Sequence, residues 1–113
     1  MQGEISFEQL YEQAVFEAFS ILGTHISKII ILHIAEKYSI RVIDTANNPQ
    51  ALTEALKSTL DGGTRLLQRR ILRILYEKMD IEPSFSLSIN FEEKILEARN
   101  VFAKSNGKEE RIG

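Results

Sequence analysis

The stretch Thr24–Tyr38, THISKIIILHIAEKY, holds the longest apolar run of the chain, Ile29–Leu32, closed at once by His33. Successive residues of a helix step by about 100°, so these four side chains point all round the axis, the pattern of a helix covered on every side. The run is far short of the roughly 18 consecutive apolar residues that span a bilayer. It is therefore expected to be the central element of a small helical core.

Outward from it the signals stay helical. Before it, Ser6 with Gln9 reads as a capping box for a first helix, whose inward stripe is Phe7, Leu10, Tyr11, Ala14, Val15, Ala18 and Leu22. Gly23 ends that helix and Thr24 caps the next, with one continuous bent helix as the alternative. After it, Ser39 to Thr45 is β-branched at Ile40, Val42 and Ile43 and reads as extended or a short strand. Asn48-Pro49 opens a third helix with Leu52, Ala55, Leu56 and Leu60 on one face, and Asp61-Gly62-Gly63 stops it. Thr64 caps a fourth helix with the stripe Leu67, Ile71, Ile74, Leu75 and Met79. The alternation Ser84-Phe85-Ser86-Leu87-Ser88-Ile89 reads as a second extended segment, able to pair with Ile40–Ile43. Asn90 with Glu93 caps a fifth helix with Phe91, Ile95, Ala98 and Phe102 inward. From Lys104 the tail has nothing to bury. The expected architecture is mainly α: one compact five-helix domain over residues 1–103, with one or two short extended connections and a disordered tail over 104–113.

Composition agrees with one domain. The chain has 113 residues, 43% hydrophobic and 27% charged, with a formal charge of −2 and no cysteine. A chain of this size buries roughly two thirds of its unfolded surface in one core. Without cysteine there is no disulfide framework, thiolate nucleophile, iron–sulfur cluster or thiolate zinc site. Met1-Gln2-Gly3-Glu4 puts no basic region before the apolar residues, so no secretory signal is expected and a cytoplasmic, non-membrane setting is.

From Leu22 to about Glu82, roughly half the chain, the order of signals resembles the small archaeal helical domain known as the Nitrosopumilus output domain. The matching pieces are Leu22-Gly23-Thr24 before an apolar helix, Tyr38-Ser39-Ile40 ending it, Pro49 with Leu52 and Ala55-Leu56, and Gly63 leading into Ile71 and Leu75-Tyr76. The resemblance implies an archaeal regulatory or signal-output module without an established catalytic site. It carries over no functional residue, and with no receiver or sensor ahead of the first helix it leaves the input open.

Charge is segregated. The fourth helix carries Arg65, Arg69, Arg70, Arg73 and Lys78 against Glu77, and Tyr76 falls in the same arc of its wheel. Such a face suits a phosphate, a nucleic acid or an acidic protein. The plainer reading is a solvated face, or one paired with Glu4, Glu8, Glu12 and Glu17 of the first helix. A helix-turn-helix over the third and fourth helices has a turn of the right length but puts polar Lys57 or Ser58 and Gln68 or Arg69 where apolar packing is usual. The net acidity also argues against a dedicated nucleic-acid binder. Phe16 and Phe19, on the far side of the first helix from its stripe, together with Ile31 and Leu32 of the second, mark a surplus of apolar groups and an expected homodimer contact.

Chemistry is sparsely announced. His33 with Glu36 has a spacing metal sites use but lacks further ligands, so no metal is expected. No glycine-rich phosphate loop is present, and Glu92-Glu93 and Glu109-Glu110 read as a first-turn dipole match and a solvated tail. No catalytic residue and no cofactor is assigned, and an enzyme is not expected. The candidates are a non-enzymatic interaction or signal-output module, a nucleic-acid binder using the arginine face, and a small-ligand sensor with a pocket of Tyr11, His33 and Tyr38.

Overall fold

Ser6 opens the first helix as its sequence dictates. Its Oγ accepts from the Gln9 N–H at 3.1 Å and its own N–H donates to Gln9 Oε1 at 2.9 Å, satisfying two of the donors that a helix start leaves open. In a computed structural model that describes residues 5–60, 62–82 and 90–112, with side chains to Ser105, the helices are α1 (Phe7–Phe19), α2 (Thr24–Tyr38), α3 (Pro49–Thr59), α4 (Thr64–Lys78) and α5 (Phe91–Ile112). The protein is a mainly α, five-helix domain, as its periodicity requires. The alternation at Ser84–Ile89 lies outside the described residues.

Two of the helix breaks contain glycine, whereas α2 ends at Ser39, held at φ 60°. Gly23, at φ 88°, separates α1 from α2, which rules out one continuous helix. Gly23 and Gly63, and not the threonines that follow them, occupy the N-cap positions of α2 and α4, and neither threonine supplies a side-chain cap. Pro49 takes the first turn of α3 as expected, with no side-chain bond from Asn48. The Asn90 Oδ1 accepts from the Glu93 N–H at 3.0 Å at the start of α5. That helix runs to Ile112, past Lys104, although Lys104 and Ser105 are exposed and bury nothing.

The central element is α1, not α2. Phe7, Leu10, Tyr11, Ala14, Val15, Ala18 and Phe19 are all buried, and α4 is its main packing partner. The two alanines, with no bulk beyond Cβ, allow a neighbouring helix to come close. By contrast α2 packs on α3 and buries only Ile30 and Ile34, while Ile29 and Leu32 are exposed and Ile31 is half-buried. A run of four apolar residues states that every direction is apolar. It cannot state that a domain of five helices has enough neighbours to cover them.

Residues 42–46 correct a second expectation. Val42–Ala46 is a 3-10 turn, not a strand. Val42, Thr45 and Ala46 are buried at i, i+3 and i+4, a helical spacing that outweighs the β-branched composition. The Thr45 Oγ1 donates to the Val42 carbonyl at 2.7 Å, so at 2.6 Å it must accept from the Tyr11 hydroxyl. Burial raises the Tyr11 hydroxyl well above the usual tyrosine range, keeping it a neutral donor. Tyr11→Phe is expected to cost about 1 kcal/mol, read by chemical denaturation, because the threonine keeps its own donor satisfied and only one acceptor site loses its partner. A loss below about 0.3 kcal/mol would contradict the bond.

Arg99 of α5 fastens this turn to α1. Its guanidinium reaches Glu8 Oε2 at 3.1 Å, the Ala46 carbonyl at 3.1 Å and Asn47 Oδ1 at 2.7 Å, and lies 4.8 Å from the centre of the Phe7 ring. A planar fork is what joins three acceptors from two elements, so lysine does not replace it.

Candidate partner-binding cleft

The cations of α4 separate once the helix is packed. Lys78 pairs with Glu17 at 2.6 Å and leaves the basic face. Tyr76 leaves it too: it is buried, and its hydroxyl donates to Glu97 Oε1 at 3.2 Å. Burial first, then the Glu97 carboxylate, push that hydroxyl up to about 12, so it remains a neutral donor and the ring offers no exposed stacking surface. The core face of α4 also differs from the expected stripe, since Leu72, Gln68 and Tyr76 are buried alongside Leu67, Ile71 and Leu75, while Ile74 and Met79 are only half-buried. Gln68 is accommodated by donating to the Thr53 Oγ1 at 2.8 Å, and that hydroxyl donates to Glu92 at 2.9 Å.

Four arginines remain, and they divide. Arg65 sits beside Lys57 and Gln68 on the side of α4 toward α3 and α5. Arg69, Arg70 and Arg73 instead line a cleft of about 420 Å³ between α4 and the α1–α2 junction. Its floor is apolar, from Leu67 and half-buried Leu22, and its rims are Ile21, 59% exposed, and Leu66, 71% exposed.

Among the described residues no side chain of these four arginines makes a hydrogen bond or an ion pair. Of the first-helix glutamates set against them, Glu8 holds Arg99 and Glu17 holds Lys78, Glu12 makes no ion pair among the described residues, and Glu4 lies outside the described residues. The Arg69 Nε is buried with no acceptor. A buried donor without an acceptor is uncommon in native proteins, and here it lies in the wall of a cationic cleft. Comparison with known protein families, curated proteins and solved structures finds no match to this chain.

The groups expected to line a sensor pocket go two ways. Tyr11 is in the core on Thr45, whereas His33 and Tyr38 meet on Glu54 of α3, a residue that drew no notice in the sequence. Glu54 Oε1 lies 3.3 Å from His33 Nε2 and accepts from the Tyr38 hydroxyl at 2.9 Å, and its Oε2 pairs with Lys37 at 2.9 Å. His33 thus faces Glu54 across the α2–α3 contact, and no group of three metal-ligating side chains occurs among the described residues. Bonds from Lys37, then Tyr38 and His33, hold the Glu54 carboxyl down at about 2, from an ordinary value of 4.5. A carboxyl depressed in the folded state stabilises it above the unfolded value, and the contribution is lost as pH falls through the folded one. Glu54→Gln is therefore expected to give a shallower fall of melting temperature between pH 4.5 and about 2 than the parent shows. Equal slopes would mean that the cluster does not couple to folding.

Phe16 and Phe19 also part. Phe19 is 2% exposed and belongs to the core, while Phe16 is 42% exposed, with ring centres 6.3 Å apart at a right angle. Of the apolar surplus, Phe16 and Leu32 stay on the surface, and Ile31 is half-buried and packed against the core. The exposed rims Ile21 and Leu66 went unremarked in the sequence. Leu66 carried a usable signal, because it lies about 100° off the Leu67–Ile71–Leu75 stripe.

Proposed function

We propose that this protein is a non-enzymatic interaction module, of the regulatory, signal-output kind that the resemblance implies, and that it binds an anionic partner in the cleft of Arg69, Arg70 and Arg73. The observation that carries this reading is three guanidiniums without an acid partner among the described residues, beside an apolar floor. Unpaired arginine next to exposed aliphatic side chains is the composition of interfaces and not of a merely solvated face. The test is retention on an immobilised polyglutamate matrix across a salt gradient, comparing the parent with Arg70→Glu/Arg73→Glu. Elution of the parent at a clearly higher salt concentration supports the reading; coincident elution overturns it.

Nucleic acid is the second reading, and the packing counts against it. Tyr76, the aromatic expected to stack on a base, is buried, and α4 packs chiefly on α1 and not on the helix that would precede it in a helix-turn-helix.

Self-association through Phe16, Ile31 and Leu32 completes the proposal. Phe16 and Ile31 line a shallow groove at the α1–α2 edge and Leu32 is 57% exposed. Light scattering over a concentration series is expected to show a dimer that Phe16→Ser/Leu32→Ser dissociates without lowering helicity. A monomer at every concentration sinks this part and leaves the cleft untouched. No helix among the described residues is long and apolar enough to cross a membrane.

A further inference from the structure

We propose that the occupant of the cleft is an acidic amphipathic helix of a protein partner, lying along α4 with its apolar stripe on the floor and its carboxylates on the arginines. This rests on the reading of the cleft as a partner surface and adds the chemistry of what enters it.

Three features select that occupant. First, Arg69 and Arg73 are four residues apart on one helix, about 6 Å along its axis. Glutamates at i and i+4 of a second helix repeat at the same interval, so two helices laid side by side match fork to carboxylate twice. Second, Leu22 and Leu67 floor the cleft while Ile21 and Leu66 on its rims are largely exposed, so the rims stay wet unless the occupant covers both. A helix that presents apolar residues at i, i+4 and i+7 covers such a cleft, and a compact organic anion leaves the rims exposed. Third, a nucleic acid has no use for aliphatic rims, and no exposed aromatic of α4 is present for its bases.

The experiment uses a fluorescein-labelled, acetylated peptide of about 16 residues, long enough for four helical turns, with leucines at i, i+4, i+7 and i+11 and glutamate elsewhere on its flanks. A scrambled peptide of identical composition breaks the stripe but keeps the charge. A single-stranded and a duplex oligonucleotide of similar length form the other arms. Fluorescence anisotropy is expected to show the striped peptide binding at least about tenfold more tightly than the scramble. Leu66→Ser and Ile21→Ser should each weaken it by several fold, with unchanged helicity because both side chains stand largely in solvent. Arg70→Glu should weaken both peptides. Equal affinity for striped and scrambled peptides, or tighter binding of an oligonucleotide, overturns the helix as occupant while leaving an anion-binding surface. Absence of binding to every probe overturns the occupant and the surface together.

Discussion

Phe19→Ser is expected to lower stability by roughly 3–5 kcal/mol, while Phe16→Ser, three residues away on the same helix, costs about 1 kcal/mol. Phe19 is almost wholly enclosed at the end of α1, so truncation leaves a cavity about the size of its ring and puts a hydroxyl in it without a partner. A domain of this size has about 5–15 kcal/mol in total, so the Phe19 variant loses a large share and its melting temperature falls by about 15–30 °C. Phe16 loses only the edge-on contact with Phe19 and part of its own cover. Thermal and urea denaturation followed by circular dichroism decide it. Similar losses at the two positions would mean that α1 is rotated from the orientation described.

The second large effect falls on binding and not on folding. Arg70→Glu/Arg73→Glu is expected to weaken an acidic partner by on the order of 100-fold or more, with the melting temperature within a few degrees of the parent. Each charge-assisted bond to a partner contributes about 1.5–3 kcal/mol, and each 1.4 kcal/mol is tenfold in affinity. Reversal adds repulsion to that loss. Folding is spared because both side chains are exposed and have no intramolecular acid to lose among the described residues. A drop in stability comparable to that of Phe19→Ser would show the arginines to be structural. Unaltered binding would place the partner elsewhere.

How far the sequence reaches is visible in particular residues. Ser6 with Gln9, Gly23 and Pro49 act within one turn of chain, and their local chemistry placed α1, the α1–α2 break and α3. The stripe of α1 was legible as far as Ala18, because a period of three and four is a local property. Its widening to take in Phe19 was not, since that depends on α1 being central. The turn at Val42–Ala46 shows the same limit: its β-branched residues suggested extension, but it is held by Tyr11, 34 positions away, and by Arg99, 53 positions from Ala46.

For the candidate site, the four arginines and their polarity could be read directly. Which of them face one cleft could not, because Tyr76 and Lys78 share their helix and yet turn to Glu97 and Glu17. Two acids of α1 that the charge pattern offers as partners are spent by packing elsewhere, Glu8 on Arg99 and Glu17 on Lys78. Ile21 reaches the cleft from the turn between α1 and α2, whose position depends on where α1 packs.

The most direct test of the cleft is a map of backbone amide shifts in the nitrogen-15-labelled protein as the striped acidic peptide is added. Shifts concentrated at Ile21, Leu22, Gly63 and the α4 residues from Thr64 to Arg73, with the α2–α3 contact around Glu54 still, are the result expected. Shifts centred on Phe16 and Leu32 or on Glu54, or none at saturating peptide, would contradict it.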